Sequence, residues 1–144
     1  MGLVVRDITA SIQAHRACFR IEQCYGPVVD PLQEAEIVFL LPEGGAWIEL
    51  LRPTTATSPL ARALRDGGGL HHLCFAVPDV NKVVQEVRSL GGVVVCPPTK
   101  AIAFGGLEVA FAFYRHVGLV EYVDERATPP FCSSLPIAIK EVET

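Results

Sequence analysis

The 144-residue sequence predicts an α+β domain built from two tandem βαβββ modules, a curled mixed sheet with few helices. Three observations carry that expectation. The first is an internal repeat: sliding the chain by 72 positions aligns its halves without a gap. Leu3-Val4-Val5-Arg6-Asp7-Ile8 falls on Phe75-Ala76-Val77-Pro78-Asp79-Val80, Glu36-Ile37-Val38-Phe39 on Glu108-Val109-Ala110-Phe111, and Ile48-Glu49 on Val120-Glu121. The second is the shared order of signals in each half, a β-branched run, a helical spacing, then short strand-like runs. The third is composition. Half the residues are apolar and 19% are charged, a globular balance in a chain long enough to bury one core unaided.

In module one, residues 1–51, a strand over Leu3 to Val5 is closed by Asp7, which can cap a helix through Ile8, Ile12 and Cys18-Phe19. Strands then follow at Ile21 to Tyr25, Glu34 to Leu41 and Ala46 to Leu51. The turn Pro42-Glu43-Gly44-Gly45 joins the last two as a hairpin. Residues 52–69 form a linker in which Ser58-Pro59 opens a short helix through Leu64. Module two, residues 70–124, repeats the plan: a strand to Val77, Asp79 as cap, and a helix through Val80, Val83-Val84, Val87 and Leu90 stopped by Gly91-Gly92. Its remaining strands fall at Val93 to Val95, Leu107 to Phe113 and Leu119 to Val123. The tail, 125–144, carries Pro129-Pro130 and an irregular strand at Ile137 to Val142.

Several function classes drop out at this level. A net charge of −4, with Lys and Arg scattered singly, offers no nucleic-acid footprint. No apolar run approaches the roughly 20 residues of a membrane helix, and the start lacks the order of a signal peptide. The five cysteines, Cys18, Cys24, Cys74, Cys96 and Cys132, form no CxxC pair. They read as reduced core thiols of a cytoplasmic protein.

The stretch Ser58-Pro59-Leu60-Ala61-Arg62-Ala63-Leu64, followed by Gly68-Gly69-Leu70-His71-His72-Leu73-Cys74-Phe75-Ala76-Val77-Pro78-Asp79-Val80, gives the chain a likeness. Over about residues 1–124 it resembles the vicinal-oxygen-chelate (glyoxalase and bleomycin-resistance) superfamily, and within it the methylmalonyl-CoA epimerases. The resemblance implies one divalent metal, Co, Mn, Ni, Zn or Mg, held by Glu49, His72 and Glu121. Residue chemistry agrees, because a carboxylate in an apolar strand such as Trp47-Ile48-Glu49-Leu50-Leu51 is costly to bury without a partner. The bland alternative is a solvent-facing strand Glu and a polar strand end. His71 reads as a structural neighbour, pointed away from His72 by strand alternation.

Two departures from the family pattern stand out. The first-module histidine falls at position zero, before Met1, and Leu32 occupies the place of the epimerases' acid–base Glu. Glu34 lies two residues on, roughly 7 Å along a strand. Glu121 and Glu34 are therefore the candidate acid–base residues, and the aromatics Trp47, Phe39, Phe111, Phe113 and Tyr114 the candidate lining of a substrate cup, with plain core packing as the alternative. The implied chemistry is proton abstraction next to a metal-bound carbonyl by an isomerase or lyase. The implied partners are a small molecule, an acyl-CoA among the options, and a second copy of the chain. The rival reading is a metal-free binding protein that sequesters a small molecule in the cup. An extradiol-type dioxygenase ranks third, because it needs a second histidine.

Overall fold

Asp7 and Asp79, 72 residues apart, begin the two long-range equivalents of one helix. Each is extended, and each carboxylate accepts a backbone N–H three residues on, from Ala10 and Lys82, both at 2.9 Å. The computed structural model, which describes residues 1–127, places α1 at Ile8–Cys18 and α3 at Val80–Glu86. The second helix is shorter than its apolar spacing through Leu90 predicts. Its last turns loosen toward Gly91, which stands at φ +78°, and Gly92 N–H closes onto the Val87 carbonyl. Between the modules, Ser58 Oγ accepts the Leu60 N–H at 3.2 Å and starts α2, Leu60–Arg65.

The eight strands are β1 (Gly2–Val4), β2 (Ile21–Asp30), β3 (Ala35–Pro42), β4 (Ile48–Pro53), β5 (Gly69–Val77), β6 (Gly92–Lys100), β7 (Glu108–Tyr114) and β8 (Gly118–Asp124). They form one curled sheet in the order β2-β3-β4-β1-β5-β8-β7-β6. The repeat governs its register. Phe39 pairs with Glu49 and Ile37 with Leu51 in the first half, as Phe111 pairs with Glu121 and Val109 with Val123 in the second. Strands β1 and β4 are parallel, as are β5 and β8, and the antiparallel β1–β5 seam joins the halves.

The edge strands β2 and β6 run well past their expected ends at Tyr25 and Val95. Pro27 and Pro97-Pro98 lie within them, and a proline is tolerated on an edge because no neighbour needs its missing N–H. Register shifts accompany the prolines in both strands. The expected tail strand at Ile137 to Val142 lies outside the described residues.

Alternation divides the side chains between two cores. Val4, Ile37, Phe39, Leu51, Val109 and Val123 pack inside the curl with Leu60 and Phe104. Val38, Leu40, Ile48 and Leu50 pack on the other face beneath Ile8 and Ile12 of α1. The cysteines depart from expectation: Cys24, Cys74 and Cys96 are only half-buried and Cys18 is exposed. A 3₁₀ turn, Ile102–Phe104, links the halves, since its Ile102 N–H reaches the buried Asp30 carboxylate at 3.3 Å. Among the described residues no helix is long and apolar enough to cross a membrane.

Candidate metal centre

Glu49 sits in the middle of β4 and Glu121 at the matching place in β8, so the repeat turns both carboxylates inward. The parallel partner strands supply Gly2 opposite Glu49 and Cys74 opposite Glu121. His72 enters from the seam, where β5 pairs its backbone with Gly2. Only glycine leaves room there: a Cβ on residue 2 would stand 2.2 Å from His72 Cε1. The imidazole thus occupies the space that a side chain on β1 would fill.

His72 Nε2 lies 3.1 Å from Glu49 Oε2 and 3.3 Å from Glu121 Oε2, and all three residues are at least nine-tenths buried. A single Nε2 proton can serve one acceptor, and it is aligned with Glu49. Glu121 Oε2 is left enclosed with no hydrogen bond among the described residues. An orphaned buried acceptor costs about 1–3 kcal/mol, and more when charged.

The electrostatics carry the same message. Burial pulls the His72 proton affinity down, yet the close carboxylates of Glu121 and Glu49 outweigh it and raise its pKa to about 9. Burial raises the Glu49 carboxyl, and the Glu121 charge adds to the rise against the pull of His72. Two carboxyl groups packed around one imidazole leave the cluster short of positive charge whenever both are ionised. A divalent cation at the point they share would satisfy the orphan oxygen and the charge together. Their donor atoms lie within 4.8 Å of one another. Ligands about 2.1 Å from an ion stand roughly 3–4 Å apart, so only small adjustments are needed.

The other predicted residues scatter. Glu34 lies in the turn before β3 at φ +50°, and its carboxylate accepts from Thr57 Oγ1 at 3.1 Å. It lies five positions before Phe39, the partner of Glu49, which is roughly 16 Å of strand. Leu32 is 70% exposed. Phe111 stands edge-on to His72 with ring centroids 5.4 Å apart and walls the centre. Phe39 packs on Phe104, Trp47 on Tyr25, and Phe113 is half-exposed. Tyr114 shares a hydroxyl contact with Tyr122 at 2.9 Å.

His71 corrects the sequence expectation. Its Nδ1 is 3.0 Å from His72 Nδ1, not turned away from it. Along β1 the step from Gly2 to Leu3 is matched on β5 by the step from His72 to Leu70, so His71 is the extra residue of a bulge. The bulge suspends the alternation on which the expectation rested. Cys74 is the other neighbour not foreseen. Burial pushes its thiol far up, and the adjacent Glu121 pushes it further, so it stays a neutral S–H. Its place two residues beyond His72, hence on the same face, was the available signal.

The family model of the glyoxalase/bleomycin resistance protein/dioxygenase superfamily matches residues 1–111. The chain belongs to that superfamily. In this glyoxalase-superfamily chain the candidate centre draws one carboxylate from module one, and a carboxylate and the histidine from module two. Solved structures agree on the fold. A hypothetical protein from Bacillus halodurans is 26% identical, with a TM-score of 0.69 over 85% of this chain and 89% of its own. Methylmalonyl-CoA epimerase from Mycobacterium tuberculosis is 21% identical, with a TM-score of 0.73 over 85% and 83%. A Streptomyces coelicolor methylmalonyl-CoA epimerase variant, in complex with 2-nitronate-propionyl-CoA, is 25% identical with a TM-score of 0.68 over 85% and 92%. No curated protein matches the chain.

Proposed function

We propose that this chain is a divalent-metal-dependent isomerase or lyase that removes a proton next to the carbonyl of an acyl-CoA, in the manner of a methylmalonyl-CoA epimerase. The observation that carries the reading is the buried Glu49–His72–Glu121 cluster with its orphaned Glu121 oxygen. Likeness to an epimerase crystallised with an acyl-CoA analogue supports the substrate class. Glu49, His72 and Glu121 would hold the ion, whose contribution when bound is to polarise the carbonyl and ease the build-up of enolate charge.

The remaining work falls to the chain's own side chains. A carboxylate has two oxygens, so Glu121 can serve as a ligand through one and accept the α-proton through the other. Glu49, buried on the other side of His72, would serve as a ligand and leave the proton chemistry to Glu121. Phe111 and the apolar interior keep water from the exposed carbanion. Glu34, tied to Thr57, would need a rearrangement of its turn to take part.

The test is hydrogen exchange at the α-carbon. With Co²⁺ and methylmalonyl-CoA in D₂O, mass spectrometry is expected to find one deuterium entering far faster than without protein, and Glu121→Gln to abolish the gain. Exchange no faster than the protein-free background, with the thioester nonetheless bound, would reject the enzyme and favour a small-molecule-binding cup.

A further inference from the structure

The bulge at His71 brings two imidazoles nitrogen to nitrogen, although the candidate centre uses only one of them as a ligand. His72 turns Nε2 toward Glu49 and Glu121, while its Nδ1 faces His71 Nδ1 at 3.0 Å. Of two nitrogens that close, one donates and the other accepts. An imidazole that presents its Nε2 lone pair to a cation carries its proton on Nδ1. His72 Nδ1–H therefore donates, and His71 accepts with its own proton on Nε2. The rings stand nearly perpendicular, at 78° with centroids 5.3 Å apart, and Phe111 closes the other side of His72 at 81°. Glycine at position 2 gives the imidazole its slot.

We propose that His71 is a positioning residue: through its Nδ1 it fixes the tautomer and ring orientation of His72 so that Nε2 is offered to a divalent cation between Glu49 and Glu121. The inference rests on the metal-dependent reading above and adds the residue that orders the site. Ordinarily a backbone carbonyl or a carboxylate takes this part, and its loss weakens metal binding by about 10–100-fold. A neutral imidazole acceptor adds no further negative charge to a centre already rich in it.

Two measurements decide it. In metal-free wild-type protein labelled with ¹⁵N, a through-hydrogen-bond coupling is expected between His72 Nδ1 and His71 Nδ1. In calorimetric titrations with Co²⁺, His71→Leu is expected to bind about 10–100-fold more weakly than wild type. His71→Asn, whose amide oxygen can accept from Nδ1–H, is expected to recover most of the loss. Absence of the ring-to-ring coupling, or equal Co²⁺ affinity in wild type and His71→Leu, overturns the proposal. A wild type that takes up no Co²⁺ rejects the proposed function, while the coupling still decides whether His71 holds His72, so the two failures are distinguishable.

Discussion

Glu121 is 1% exposed and carries an oxygen that nothing described here satisfies. Side chains kept at such a cost without compensation elsewhere are those a ligand completes. Replacing it by Gln keeps the shape of the side chain and removes an anionic ligand. Glu121→Gln is therefore expected to abolish any rise in melting temperature on adding Co²⁺. A thermal melt with and without metal checks it. His72 makes a second prediction. Its folded proton affinity, about 9, exceeds the ordinary 6.5, so folding favours the imidazolium. The stabilisation is fully present below about pH 6.5 and is lost as the pH rises to about 9. Chelator-treated protein should lose thermal stability across that window, and His72→Gln should flatten the fall.

At the scale of elements, strand β1 matters out of proportion to its three residues, because it supplies the empty space for His72. Gly2→Ala places a methyl 2.2 Å from the ring and is expected to reduce Co²⁺ affinity at least about tenfold. Calorimetry measures it, and an unaltered affinity would show that the slot is not needed. The caps behave independently of the site: Asp79→Ala should cost about 1 kcal/mol in urea denaturation with Co²⁺ affinity unchanged. Sequence patterns reached these elements unevenly. Asp7 with Asp79, and Glu49 with Glu121, were legible because capping and inward-facing strand positions leave the same residue types at one offset. The bulge at His71 was not, since it arises from pairing between β1 and β5 and marks no residue locally. The lengths of β2 and β6 were hidden because a proline in isolation signals a break, and only the sheet order reveals an edge that tolerates it.

At the scale of the molecule, the two modules are joined by the β1–β5 seam and by Asp30, whose fully buried carboxylate accepts from Leu32, Gln33 and, across the modules, Ile102. Asp30→Ala removes the shared acceptor of three part-buried backbone donors and should cost about 1–3 kcal/mol, as loss of hydrogen bonds to a charged group does. Urea denaturation reads that loss. The centre depends on this joining, for neither module holds three ligands alone. The repeat therefore made the site legible as a pair of carboxylates, while the third ligand's surroundings, Gly2, His71 and Phe111, came from contacts between sequence-distant strands. The most direct test of the account is metal content by mass spectrometry on protein purified without chelator or affinity tag, alongside Glu49→Ala, His72→Ala and Glu121→Ala. The account predicts about one divalent metal per chain in the wild type and a loss in each variant. A metal-free wild type whose melting temperature added Co²⁺ or Mn²⁺ leaves unmoved would contradict it.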